Sequence, residues 1–117
     1  MNCIFCKIVA GEIPAAKVYE DEDFLCFKDI NPAARVHLLL IPKKHIPTIN
    51  DITEADTSLI GKWLIKAKEI AANQGLAADG YRIVMNCNHN GGQEVFHIHL
   101  HILGGEKIGH LNCLGSH

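Results

Sequence analysis

The run His97-Ile98-His99-Leu100-His101, continued by Ile102-Leu103-Gly104-Gly105, constrains this chain more than any other stretch. Side chains of an extended strand alternate between faces, so residues i, i+2 and i+4 point the same way. A strand here sets three imidazoles on one face, about 6.6 Å apart per step. It turns Ile98, Leu100 and Ile102 to the other face, toward a core. A merely solvated strand face does not call for three imidazoles in a row. Groups that titrate near neutral pH are the usual proton carriers, nucleophiles and metal ligands. The sheet that holds this run should therefore carry a core on one side and chemistry on the other.

The rest of the chain limits what that chemistry serves. Its 117 residues are enough for one core and not two, and 48% hydrophobic with 21% charged residues is ordinary globular usage. A net charge of −2 with both signs interspersed leaves no basic stripe, which argues against a nucleic-acid partner. A site for one small phosphate-bearing ligand needs only a few local donors. The longest apolar run, 38–42, is far short of a membrane span, and the first residues lack the pattern of a secretory signal. Five cysteines (Cys3, Cys6, Cys26, Cys87, Cys113) suit reduced thiols in a cytoplasm better than a disulfide framework.

Apolar Ile4, Phe5, Ile8 and Val9, with Gly11 following, predict a short helix over 3–10 that brings Cys3 and Cys6 one turn apart. Runs 17–19 and 24–28 flank the acidic turn Glu20-Asp21-Glu22-Asp23 as a hairpin. Asn31-Pro32 punctuates the chain. Residues 36–41, closed by Pro42, read as a strand with His37 its one strongly polar position, and Lys43-Lys44-His45 follow in a loop. Thr53 is an N-cap candidate for one long helix, with the stripe Ile60, Leu64, Ala67 and Ala71 flanked by Leu59, Trp63 and Ile70, ending near Gly75. Trp63 is expected in the core or a subunit interface, and Cys26 and Cys87 are expected as buried apolar fillers in strands. Residues 81–85 form a further strand, and Asn88-His89-Asn90-Gly91-Gly92 a turn before the histidines. One long helix among strands joined by turns predicts an α+β domain on a mainly antiparallel sheet.

His37 joins the run as a fourth imidazole, and three mechanisms stay open on residue chemistry alone. An imidazole can attack an electrophile such as phosphorus while its neighbours manage protons. Imidazoles can bind zinc from a strand. They can also hold an anion without turnover. Gly91-Gly92-Gln93 favours the first, since the backbone N–H groups of a glycine turn can approach a phosphate oxygen, although such a turn alone is also a plain connection. Cys3-x-x-Cys6 is half of a tetrahedral zinc site and needs two further ligands.

The stretch Gly91-Gly92-Gln93-Glu94-Val95-Phe96-His97-Ile98-His99-Leu100-His101-Ile102-Leu103-Gly104-Gly105 resembles the histidine triad (HIT) family in its Hint branch, bacterial type. Ile4-Phe5-Cys6-Lys7-Ile8, Phe27-Lys28-Asp29-Ile30-Asn31-Pro32 and His37-Leu38-Leu39-Leu40-Ile41-Pro42-Lys43-Lys44-His45 match the same pattern. The resemblance implies a HIT domain over 1–105, with a five-stranded sheet, one long helix and a short N-terminal helix, followed by a tail over 106–117. It implies a homodimer with one continuous sheet, and a purine nucleoside monophosphate or phosphoramidate in each cleft.

By the same resemblance His99 is the nucleophile on phosphorus, His101 lies by the scissile bond, and His37 supports the nucleophile's ring. Asp29 holds the ribose, Ile4, Phe5, Ile8, Phe27 and Ile30 pack the base, and Asn86, Gln93, Glu94 and Val95 complete the nucleotide site. The third histidine and the Leu103-Gly104-Gly105 ending resemble Hint hydrolases, which implies cleavage of the P–N bond of nucleoside phosphoramidates. A dinucleoside polyphosphate hydrolase, or a nucleotide sensor with little turnover, is the alternative; a zinc hydrolase using the triad itself is a third reading. Glu94 stands where many relatives have serine, and a carboxylate facing phosphate would repel it, so Glu94 is expected to point outward. Cys3 and Cys6 resemble zinc-bearing bacterial HIT proteins, which implies Cys3, Cys6, His45 and His97 as ligands. Such a closed set makes the metal structural, with no cofactor required for catalysis.

Overall fold

The computed structural model describes residues 3–109, so Cys113 and most of the expected tail lie outside the described residues. The five expected strands form one antiparallel sheet. They are β1 (Lys17–Glu20), β2 (Phe24–Lys28), β3 (Val36–Pro42), β4 (Arg82–Val84) and β5 (Leu100–Gly104), in spatial order β1-β2-β3-β5-β4. The hairpin turn between β1 and β2 is held by Asp21, whose Oδ1 accepts the N–H groups of Asp23 and Phe24 at 2.8 Å each.

Central β3 is buried from His37 to Pro42, because each of its faces meets a helix. Leu38 and Leu40 join Phe24, Cys26, Ile98, Leu100 and Ile102 under the long helix α2 (Thr57–Asn73). Leu39 and Ile41 join Leu25 and Phe27 under the short helix α1 (Ile4–Val9). Period-two alternation thus sorts the apolar residues of the central strands between two cores. Trp63 is one of the anchors of the first, 1% exposed, with its indole N–H donating to the Leu40 carbonyl at 3.1 Å.

Three expectations change. The buried stripe of α2 is Trp63, Ala67, Ile70 and Ala71, whereas Leu64 is 53% exposed. The two stripes share Ala67 and Ala71 and are centred about 45° apart around the helix, and the large indole takes the inner position. Thr53 caps a single 3-10 turn, Glu54–Asp56, that leads into α2 rather than capping α2 itself. Cys87 is only partly buried and lies in the segment after β4, outside any strand, while Cys26 is fully buried in β2.

The histidine run also departs from a regular strand. Only Leu100–Gly104 pairs as β5, so His101 is in the strand while His97 and His99 precede it. The segment before β5 is fastened instead to the loop after β3. Ile98 N–H donates to Ile46 O at 2.8 Å, and Gln93 Nε2 donates to Pro47 O at 2.8 Å. The division of faces survives: Ile98, Leu100 and Ile102 enter the core under α2, while His97 and His99 contact Phe5 of α1 on the other side.

Candidate active site

All three histidines of the run are buried, at 0%, 3% and 3% exposure for His97, His99 and His101, so none is part of a solvated face. Buried polar side chains need partners, and the partners assign each ring a different role. His99 Nδ1 lies 2.8 Å from the carbonyl oxygen of His97. A carbonyl can only accept, so His99 carries its proton on Nδ1 and presents the Nε2 lone pair. That is the form a nucleophilic imidazole needs.

His37 and His101 belong to a separate chain of donors. In the β3–β5 register His37 faces Leu103 and Leu39 faces His101, so the two histidines are diagonal neighbours on one face. Ala33 N–H donates to His37 Nδ1 at 2.9 Å, which places the proton of a neutral His37 on Nε2. Nε2 is 2.9 Å from His101 Nδ1 and 3.4 Å from Asp29 Oδ2. The chain therefore runs from Ala33 through His37 to His101, whose own proton falls on Nε2. His37 thus bonds His101, whereas the sequence implied a role for it at the ring of His99. The ring of His99 is oriented by main chain, which no side-chain pattern announces.

Beside the histidines is an apolar cavity of about 440 Å³. It gathers Ile4, Phe5, Ile8, Phe27, Asp29, Ile30 and Val95, all expected at the nucleotide site, and adds Leu39 and Ile13, which were not. Leu39 was within reach of sequence reasoning, because it shares a strand face with His37 at i+2. Helix α1 positions the cavity wall: the Phe5 ring packs edge-on against Phe27 at 5.3 Å and against His99 at 5.2 Å between centroids. Asp29 is buried, with Oδ1 accepting from Asn31 N–H at 2.8 Å, and is the acidic residue among those lining this cavity. Ile30 is 91% exposed, so its apolar side chain stands open at the lip.

The turn before the triad engages two of its backbone N–H groups within itself. Gly92 N–H is spent on His89 O and Gln93 N–H on Asn88 O, both at 3.0 Å. The Gln93 side chain is 6% exposed and bonds Asn88 N–H, Pro47 O and Val95 O, which braces the loop, and it is not among the residues lining the cavity. Gly91 is required by close packing, since a Cβ there would stand 2.5 Å from Cys87 O. Asn86 is partly buried beyond β4 and does not line the cavity. Glu94 is exposed, as expected of a carboxylate that would repel phosphate.

A second cluster brings together Cys3, Cys6, His45 and His97, whose ligand atoms all lie within 4.8 Å of one another. Cys3 is the N-cap of α1, and its Sγ accepts from Cys6 N–H. His97 Nε2 is 2.7 Å from the Pro42 carbonyl, so this nitrogen donates and Nδ1 turns its lone pair inward. His45 and His97 Nδ1 are 3.3 Å apart, and nitrogen–sulfur separations are 3.3 Å to Cys6 from His45, and 3.5 and 3.6 Å to Cys3 and Cys6 from His97. Zinc bonds of about 2.0–2.1 Å to nitrogen and 2.3 Å to sulfur in a tetrahedron span about 3.4 and 3.6 Å between ligands. The four residues therefore fit a tetrahedral zinc ion. Burial and the neighbouring Cys3 push the Cys6 thiol up to about 11, so a thiolate there depends on a nearby cation. Burial also holds His97 below its ordinary value, in the neutral form a metal requires.

Comparison with known proteins agrees with this geometry. Residues 2–111 match the family model described as "Scavenger mRNA decapping enzyme C-term binding". The chain is 54% identical to Protein HitA of Neisseria gonorrhoeae over 88% of its length and 95% of that protein. It is 47% identical to the purine nucleoside phosphoramidase of Escherichia coli, over 91% of this chain and 89% of that one. Among solved structures, a HIT family hydrolase from Legionella pneumophila superposes with a TM-score of 0.90 at 56% identity, covering 92% of this chain and 96% of the other. A histidine triad protein from Clostridium difficile also gives 0.90, at 44% identity, covering 94% and 96%. With these likenesses across the sheet, both helices and the buried triad, the chain belongs to the histidine triad (HIT) family.

Proposed function

We propose that this protein hydrolyses the P–N bond of purine nucleoside phosphoramidates through a nucleotidyl intermediate on His99. The observation that carries the reading is the His99 Nδ1–H bond to the His97 carbonyl, which leaves Nε2 as the acceptor nitrogen of a ring packed against Phe5 of the cavity wall. The purine fills the cavity between Phe5, Ile8 and Phe27, the ribose hydroxyls donate to Asp29, and the α-phosphorus meets His99. Nε2 forms a bond to phosphorus as the P–N bond breaks, and the amine leaves with the electron pair and takes up a proton. Water then attacks the phosphorus, gives up a proton in its place, and returns His99 with release of the nucleoside monophosphate. Positive charge that builds on His99 in the first step is stabilised by the carbonyl at Nδ1–H. His101, with its proton on Nε2, donates a hydrogen bond beside the scissile bond. The 47% identity to a protein named for this activity supports the reading.

A zinc ion on Cys3, Cys6, His45 and His97 belongs to the same proposal. When bound, it supplies a structural cross-link between α1 and the segment before β5, with no open ligand position for substrate. A homodimer is supported by exposed Ile83 on the three-residue edge strand β4 and by exposed Leu64 and Ile65 on α2. No helix among the described residues is long and apolar enough to cross a membrane, and a cytoplasm suits a Cys3–Cys6 pair kept reduced for a metal.

The test is an adenosine phosphoramidate bearing a fluorescent amine. The wild-type protein releases the amine, and His99→Ala loses at least about a thousandfold in kcat/KM. Equal rates for the two proteins would remove the mechanism.

A further inference from the structure

Helix α1 supplies one wall of the apolar cavity, through Ile4, Phe5 and Ile8. Its six residues are too few to hold a helix in water alone, so its place depends on what it is fastened to. Hydrogen bonds at its C-terminal end stay within the segment: Ala10 N–H reaches Cys6 O, and Glu12 N–H reaches Lys7 O. Two sets of contacts hold it against the sheet. One is apolar, where Phe5 and Ile8 pack with Leu25, Phe27, Leu39 and Ile41. The other is at Cys3 and Cys6, whose sulfurs lie 3.3, 3.5 and 3.6 Å from ring nitrogens of His45 and His97. Phe5 falls between the two cysteines in the chain. Its ring packs on Phe27 of the cavity and on His97 of the cluster, at 5.3 and 6.0 Å between centroids. One ring therefore touches both sites.

We infer that the cysteine–histidine cluster and the cavity are coupled through α1 and its Phe5 ring, so that zinc and a purine nucleoside each tighten the binding of the other. The inference rests on the purine and zinc sites of the reading above and deepens it. Ligation by Cys3 and Cys6 fixes α1 on both sides of Phe5. It joins the helix to His97 in the segment before β5 and to His45 in the loop after β3. The cavity wall is then ordered before the purine arrives, and binding no longer bears the entropy of ordering it. Linkage makes the effect reciprocal. A purine packed against Phe5 holds the same helix with both cysteines beside the two histidines, and zinc gains by the same factor. Phe5 is thus a positioning residue for the metal cluster as well as part of the purine site. No covalent bond of the substrate changes in this coupling, which acts on affinity.

The experiment measures the zinc affinity of the full chain against a chromophoric chelator, with and without saturating adenosine, which has no phosphate to bind zinc itself. Adenosine should lower the zinc Kd by about fivefold or more, and zinc should lower the adenosine Kd by the same factor in calorimetry. Phe5→Ala keeps all four ligands and should lose most of that factor. An undiminished factor in this variant overturns the role of Phe5. Hydrogen exchange in the wild-type protein needs no variant. The amides of Lys7 and Ala10, bonded to Cys3 O and Cys6 O, should exchange more slowly with zinc alone, and by a larger factor than that of Ile70 in α2. Equal slowing at α1 and at Ile70 is general stabilisation of the fold and overturns the inference. Equal zinc affinity with and without adenosine overturns the coupling and leaves the phosphoramidase reading standing. Coupled binding without release of amine from a phosphoramidate removes that reading and keeps the coupling.

Discussion

Two groups of imidazoles lie side by side in this protein with opposite arrangements of protons. At Cys3, Cys6, His45 and His97 the ring nitrogens and sulfurs converge on one point, with His97 directing its only proton away to Pro42 O. At Ala33, His37 and His101 the donors and acceptors run in one direction, each acceptor nitrogen meeting a single N–H. Convergent lone pairs suit a cation at the centre, whereas a directional chain passes each proton to the next acceptor. His97 and His99 are two residues apart and fall on different sides of this division. What separates them is the nitrogen that the backbone claims: Nε2 of His97 by Pro42, Nδ1 of His99 by His97. A carbonyl oxygen thus determines which histidine can hold a metal and which can attack phosphorus.

The largest expected effects exchange the two roles. His99→Ala should abolish turnover and leave bound zinc and the thermal midpoint nearly unchanged. Cys6→Ala should lose the zinc, measured by metal analysis, and lower the midpoint by more than about 8 °C. The same variant should still form some His99 adduct when folded. Zinc loss from His99→Ala, or none from Cys6→Ala, would break the division. Next in size, His37→Ala cuts the donor chain and should lower kcat by about ten- to a hundredfold, with metal content intact. An unchanged kcat would show that His101 is oriented by other means.

A smaller effect concerns the turn that braces the run. Gly91→Ala should destabilise by roughly 1–3 kcal/mol in denaturant titrations, because its Cβ would press on the Cys87 backbone. Its effect on kcat should be slight, because the N–H groups of Gly92 and Gln93 are engaged within the turn. The smallest effect serves as a control outside both groups. Lys44 and the Thr53 N–H beside Asp56 hold its carboxyl below the usual range. Stability from a depressed carboxyl is present above the unfolded value near 3.8 and is lost as pH falls below it. Asp56→Asn should therefore flatten the acid limb of the stability curve and leave both zinc content and turnover near pH 7 unchanged.

Much of this was legible in the chain. Alternation of histidine with isoleucine and leucine told which face met the core, and the cavity residues Ile4, Phe5, Ile8, Phe27, Asp29, Ile30 and Val95 came together as their motifs implied. Types and spacings carry such information because faces and periods are local geometry. The choice between Trp63 and Leu64 as the inner residue of α2 was not legible, because neighbouring stripes are equally apolar until the sheet selects one.

The roles of individual nitrogens belong to the tertiary structure alone. The run by itself determined that several imidazoles would share a face away from the core. Which ring donates, which accepts and which turns a nitrogen toward the cysteines was decided by Pro42 O, His97 O and Ala33 N–H. Every residue has a carbonyl, and nearly every residue an N–H, so their presence in the chain says nothing of where they act. Only the folded path of the chain, which brings β3 and its flanking loops against the segment before β5, gives those groups a direction.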